Sequence, residues 1–258
     1  MQSETEATGV TAGDPVASAA SAATTRDRGD PHVTGEYLRR NPGWHVHTSA
    51  WKAGEILRML DRHRLAPKAI GEVGCGAGEV LRQLQLRMDP ECRFWGWDIA
   101  PDAIRLAKTR ENERLQFALA DATRIETPPL DLMLVLEVVD HVEDYFSFLR
   151  QLKSRSSYQL FHLSLDLSVQ NALRSGALLR QRDQYVHIHY FNKETALRTL
   201  EETGYEVLDS FYTPYGILFP GGRFNRWILG PLRRGLFKLN QDFAVRLLGG
   251  YRLMVLTR

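Results

Sequence analysis

An apolar run, Ala69-Ile-Gly-Glu-Val73, leads directly into glycines at positions 74, 76 and 78, and no other feature restricts the fold as tightly. The stretch reads as a buried strand that turns through three glycines into a helix. The spacing is G-x-G-x-G. A dinucleotide fingerprint is G-x-G-x-x-G, whose third glycine packs helix on strand around a pyrophosphate. Glycine adds no side-chain bulk and tolerates positive φ, so backbone here can approach a ligand closely. Alone, the turn fits a nucleotide site and a tight structural connection equally well.

Two acids follow at expected strand ends. Cys92–Asp98 reads as an aromatic-rich second strand ending on Asp98, and Leu115–Asp121 as a third ending on Asp121. An aspartate after the second strand can accept hydrogen bonds from both hydroxyls of a ribose. An acid after the third suits the exocyclic amine of adenine. Each aspartate singly is as readily a helix cap or turn residue. The ordered set of glycine turn, Asp98 and Asp121 favours a nucleoside site.

The order Glu72-Val-Gly-Cys-Gly-Ala-Gly78, Gly96-Trp-Asp-Ile-Ala-Pro-Asp-Ala-Ile-Arg-Leu-Ala107, Ala120-Asp121 and Leu136-Glu-Val-Val-Asp-His-Val142 resembles the class I S-adenosylmethionine-dependent methyltransferases over about residues 35–214, with a last strand at Tyr251–Thr257. The resemblance implies an α/β, Rossmann-like doubly wound sheet of seven mostly parallel strands, helices on both faces and a helical insertion before the last strand. It implies S-adenosylmethionine as cofactor. Glu72, Gly74, Gly76 and Gly78 would border its methionine and ribose parts. Asp98 would hold the ribose, Ile99 would pack on adenine, and Asp121 with Ala122 would read the adenine edge. Glu137 and Val138 would line the sulfonium side. Many relatives carry Glu-His where this chain has Asp140-His141, and His141 is a candidate catalytic residue.

The 258 residues are 43% hydrophobic and 25% charged, which suits one α/β domain. A net charge of +2 is too small to imply nucleic-acid binding. Cys75 and Cys92 read as small buried hydrophobes in a reducing, cytoplasmic setting. His45 and His47 have no acid or cysteine cluster near them, and no metal site is expected. Residues 1–34, rich in Ala, Ser, Thr and Gly, are expected to be a disordered tail, and residues 35–258 the enzyme domain. Glu4 and Glu6 replace the basic start of a signal peptide.

Residues 35–64 are expected to form a loop, Tyr37–Thr48, and then an amphipathic helix, Ser49–His63. The aromatics Tyr37, Trp44 and Trp51 either form a lid over the cofactor or dock this helix on the core. Two stretches lie outside the basic alternation of strands and helices. Residues 167–190 leave the carboxyl end of the fifth strand, where open parallel sheets bind ligands, so they can build a pocket for a small-molecule acceptor. His187 and His189 share one face if that segment is extended, and either can act as a base near neutral pH. Residues 215–250 hold six basic residues against Asp242, on an apolar helical pattern interrupted at Gly230-Pro231. Such a segment lies on an anionic membrane, binds an acidic partner, or covers the sheet as a lid.

The reaction implied is an in-line methyl transfer to oxygen or nitrogen of a small-molecule acceptor. Other readings are a lipid-linked or phosphorylated acceptor at a membrane surface, an inactive cofactor-binding subunit, and a nicotinamide oxidoreductase. The glycine spacing and Asp121 disfavour the last.

Overall fold

The computed structural model describes residues 29–220, 222–223 and 225–258. Most of the expected tail, up to residue 28, lies outside the described residues. From Gly29 to Thr34 the chain is turned, with the Val33 and Thr34 N–H groups donating to the Asp30 carbonyl at 3.0 and 2.9 Å.

Seven strands form one sheet among the described residues: β1 (Ala69–Val73), β2 (Arg93–Asp98), β3 (Leu115–Leu119), β4 (Leu130–Leu136), β5 (Ser156–Ser164), β6 (Val207–Thr213) and β7 (Arg252–Thr257). Their order is β3-β2-β1-β4-β5-β7-β6, with β7 antiparallel to both neighbours and the other pairs parallel. Connections run outward from β1 to β2 and β3 on one side, and from β4 to β5 on the other. That reversal opens a crevice beyond the carboxyl ends of β1 and β4.

The nearly continuous apolar run of β4, broken only by exposed Asp131, follows from burial on both faces. Leu132, Leu134 and Leu136 enter one core and Met133 and Val135 the other, the two-residue alternation of a strand. Helices α1 (Glu36–Arg40), α2 (Ser49–His63), α3 (Glu79–Gln85) and α4 (Pro101–Ala107) precede α5 (Tyr145–Leu152). Ile56 and Met59 of α2, Leu81 and Leu84 of α3 and Ile104 of α4 fill the first core. Leu149 and Leu152 of α5 and Leu200 of α8 (Lys193–Glu202) fill the second. Asn192 starts α8 with a capping box, its side chain accepting from Thr195 N at 2.8 Å.

Three local expectations are corrected. Tyr37–Thr48 is not all loop: it holds the end of α1 and a 3₁₀ turn at Val46–Thr48. Residues 167–190 are not extended throughout but fold into α6 (Val169–Leu173) and α7 (Ala177–Tyr185), joined by a turn at 174–176 and followed by irregular chain at 186–190. Residues 215–250 comprise α9 (Tyr215–Leu218), a π-helical turn (Asn225–Leu229), α10 (Gly230–Leu239) and α11 (Gln241–Leu248). Gly230-Pro231 marks the change from π to α winding, where proline's missing N–H is tolerated. The interruption falls instead at Asn240, whose side chain accepts from Phe243 N at 2.9 Å and caps α11.

Candidate active site

The glycine turn occupies the crevice at the end of β1. Gly74, Gly76 and Gly78 all have positive φ, at 68°, 54° and 74°. Gly74 N and Cys75 N donate to the Trp97 carbonyl at 2.8 and 3.1 Å, which bends the chain across the end of β2. The Asp98 carboxylate then secures the turn: Oδ2 accepts from Gly76 N and Oδ1 from Ala100 N, each at 2.8 Å. Burial raises the Asp98 pKa, and these two N–H donors oppose the rise. Each carboxylate oxygen keeps a lone pair beyond these bonds.

A cavity of about 510 Å³ opens here, a volume ordinary for a small-molecule site. Of the ten expected cofactor residues, nine line it: Glu72, Gly74, Gly76, Asp98, Ile99, Asp121, Ala122, Glu137 and Val138. Gly78 does not. A Cβ there would lie 2.3 Å from Phe117 Cζ, so its missing side chain lets α3 settle on β3. A Cβ on Gly74 would lie 2.5 Å from Val138, and one on Gly76 2.5 Å from the Trp44 indole. Asp121 both lines the cavity and serves as a turn residue. Its Oδ1 accepts from Thr123 N and Oγ1 at 2.9 and 2.6 Å, and its Oδ2 pairs with Arg124 at 3.1 Å.

The cavity floor holds a charge cluster whose other members no sequence motif announces. Glu137 Oε1 meets Lys52 Nζ at 2.9 Å, His162 Nδ1 at 3.0 Å and the Arg252 guanidinium. Lys52 comes from α2, His162 from β5 and Arg252 from β7. Glu137 sits at φ 58°, a conformation that costs a non-glycine residue about 1–2 kcal/mol. Burial alone would raise its pKa, but Arg252, Lys52 and His162 outweigh burial and hold it well below the carboxylate range. Nearby, buried Glu72 is pushed up to about 8, and its Oε2 has no hydrogen-bond partner. On an amphipathic helix a lysine is expected to face water, which is why Lys52 was not foreseen.

The three candidate catalytic histidines separate. His187 lines the cavity, and its Nδ1 lies 2.6 Å from Asp166 Oδ2. Burial pulls its pKa down, but Asp166 and the nearby Asp140 carboxylate leave it above the ordinary value. His141 also lines the cavity, edge-on to His187 with centroids 5.0 Å apart. Burial and the charge of His187 lower its pKa to about 3, so it is a weak base. His189 is not in the cavity: its Nε2 meets the Val142 carbonyl at 3.0 Å and its ring abuts Tyr145. The irregular backbone at Val186, with φ 61°, breaks the shared face expected of an extended segment. Asp166 follows β5 directly, and only the fold brings it to His187, 21 residues onward.

Aromatic side chains rim the cavity. Tyr37, Trp44, Tyr185 and Tyr215 line it. Trp51 does not line it. Its ring packs on His162, Tyr215 and Phe219 and docks α2. Trp44 and His45 both adopt left-handed backbone, at φ 52° and 56°, strain of the kind concentrated at ligand clamps.

Residues 47–210 match the methyltransferase domain family. No curated protein sequence matches the chain. Among solved structures, magnesium protoporphyrin IX methyltransferase from Synechocystis PCC 6803, with bound S-adenosylhomocysteine, is similar at 12% identity and TM-score 0.56, over 88% of this chain and 95% of that one. A Haemonchus contortus phosphoethanolamine N-methyltransferase is similar at 14% identity and TM-score 0.57, over 86% of this chain and 58% of that one. The [4+2]-cyclase SpnF is similar at 14% identity and TM-score 0.53, over 80% of each chain. At such identities the likeness is one of fold, and the fold alone does not select the reaction.

Proposed function

This chain belongs to the methyltransferase domain family, and on that premise we propose that it moves a methyl group from S-adenosylmethionine to oxygen or nitrogen of a small-molecule acceptor, with His187 as the base. One observation carries the reading: Asp98 and His187, the latter paired with Asp166, line the same cavity.

The residues fit the cofactor. Gly74 and Gly76 leave a cradle bare of Cβ atoms, and the unpaired Glu72 Oε2 offers an acceptor to an ammonium group. Asp98 retains lone pairs for two ribose hydroxyls. Ile99, 43% exposed at the rim, offers an apolar face to adenine. Asp121 and the Ala122 backbone offer an acceptor and a donor to its edge. Lys52 and Arg252 hold Glu137 fixed beneath the site, so little reorganisation accompanies binding.

When bound, S-adenosylmethionine supplies a methyl group already activated by the positive sulfur. The chain's own contribution is alignment and exclusion of water. Tyr37, Trp44, Tyr185 and Tyr215 provide the cover. Asp166 accepts from His187 Nδ1–H, which leaves Nε2 as the atom that takes a proton from an acceptor hydroxyl. An amine acceptor needs no such step, and His187 then serves to orient it.

Isothermal titration should give S-adenosylmethionine binding and no NAD binding. Incubation of the protein with isotope-labelled methyl donor and fractionated metabolites should yield a labelled small molecule. Cofactor binding with no label transferred to any fraction would favour an inactive subunit, and NAD binding would overturn the reading.

A further inference from the structure

The exposed large apolar side chains of this protein are unevenly distributed. Apart from Leu86, Ile99 and Leu119, every one among the described residues falls between Leu167 and Phe243. The densest group lies on the π-helical turn, α10 and α11. Trp227 is 71% exposed and Leu239 84%, with Ile228, Leu232 and Phe243 all more than half exposed. Ile228, Leu232 and Leu239 recur at spacings of four and seven and form one stripe. The stripe does not face the core, because Leu229 and Arg233 take the buried side. Arg233 turns inward to donate to the Leu248 carbonyl at 3.2 and 2.9 Å.

The border of the stripe is cationic. Arg234 and Lys238 are exposed beside the stripe and Arg226 is exposed on the turn before it, and none pairs with a carboxylate among the described residues. Asp242, the one acid of residues 215–250, is engaged by Lys193 at 3.0 Å and by the Tyr212 hydroxyl at 2.6 Å. Apolar side chains fringed by unneutralised cations are poorly suited to a second copy of the chain. A twofold interface would set like charges against each other. They are well suited to a surface that is anionic outside and apolar within.

We propose that α10, with the π-helical turn before it and α11 after it, docks this protein on an anionic phospholipid bilayer. Trp227, Ile228, Leu232 and Leu239 enter the boundary between headgroups and acyl chains, and the bordering cations face the headgroups. The docking does not rest on the methyl-transfer reading.

Sedimentation with vesicles tests it. The full chain should sediment with phosphatidylcholine vesicles containing about a third phosphatidylserine, and not with pure phosphatidylcholine. Binding should vanish near 1 M salt, where the screening length is about 3 Å. The triple variant Arg226→Gln/Arg234→Gln/Lys238→Gln should lower partition about a hundred-fold, at about five-fold per charge. Leu232→Ser/Leu239→Ser should lower it at every salt concentration at which the wild-type chain still binds. None of these side chains lines the cavity, so cofactor affinity should be unchanged and reports intact folding. Equal partition into both vesicles, absence from both, or wild-type partition by the triple variant overturns the proposal. Failure to bind S-adenosylmethionine would bear on the methyl-transfer reading alone.

Discussion

At the scale of single residues, the site separates side chains that meet a ligand from those that merely permit the fold. Asp98→Ala should weaken S-adenosylmethionine binding about 5- to 150-fold, equivalent to about 1–3 kcal/mol, in isothermal titration. Unchanged affinity in a folded variant would remove Asp98 from the ribose. The three glycines should behave differently. Gly76→Val should impair binding and also stability, because the left-handed backbone at φ 54° costs a side chain about 1–2 kcal/mol and Trp44 stands in its way. Gly78→Ala should cost about 1–3 kcal/mol from the clash with Phe117, besides its own left-handed strain, yet leave the affinity of the folded fraction nearly intact. For a hydroxyl acceptor, His187→Gln should lower kcat by about 10²–10⁴ with little change in cofactor affinity. His187 must be neutral to act, and its pKa is raised, so activity should rise with pH through an inflection above about 6.5. Asp166→Asn removes the carboxylate that raises it, so the inflection should move to lower pH. An unmoved inflection would show that another group sets the profile.

Elements come together at Glu137. This side chain, just past β4, ties α2 through Lys52, β5 through His162 and β7 through Arg252. Glu137→Ala leaves two buried cations without their shared counter-ion and should cost about 3–5 kcal/mol, measured by urea unfolding without ligand. A cost below 1 kcal/mol, the scale of an exposed pair, would mean that water reaches the cluster. The extent of α2 was legible because amphipathic periodicity declares a helix and its apolar face. That its lysine turns inward was not legible, because the partners come from three separate strands. For the same reason the first insertion showed its position in sequence but not its helices, and the second showed its helical pattern but not where the pattern breaks. Short segments with mixed composition take their shape from what they pack against.

For the molecule as a whole, buried histidines set the response to acid. Burial lowers His141 to about 3 and His162 and His45 to about 4. In the unfolded chain each charges near 6.5, so the unfolded state binds more protons as pH falls below that value and stability drops. His141 alone supplies a slope approaching ~1.4 kcal/mol per pH unit between about 6 and 4, and the more exposed His45 supplies less. Glu137, depressed well below its ordinary range, adds stability that is present above that range and lost as pH falls through its folded value. His187 acts oppositely: its raised pKa contributes stability that is fully present below 6.5 and lost as pH rises through the folded value. Denaturant titrations should therefore show weakening from pH 6.5 toward 4, and His141→Phe should flatten that fall. The sequence by itself determined the doubly wound sheet, the glycine turn and the aspartate that closes the second strand beside it. These rest on apolar runs, glycine spacing and strand-end acids, each a pattern readable within a few residues of its own strand. Only the tertiary structure decided that Gly78 lies against Phe117 outside the cavity lining, that Lys52, His162 and Arg252 converge on Glu137, and that His187 rather than His189 reaches the cavity beside Asp166. Those outcomes depend on which atoms meet across strands and loops far apart in the chain, and local pattern carries no information about such meetings.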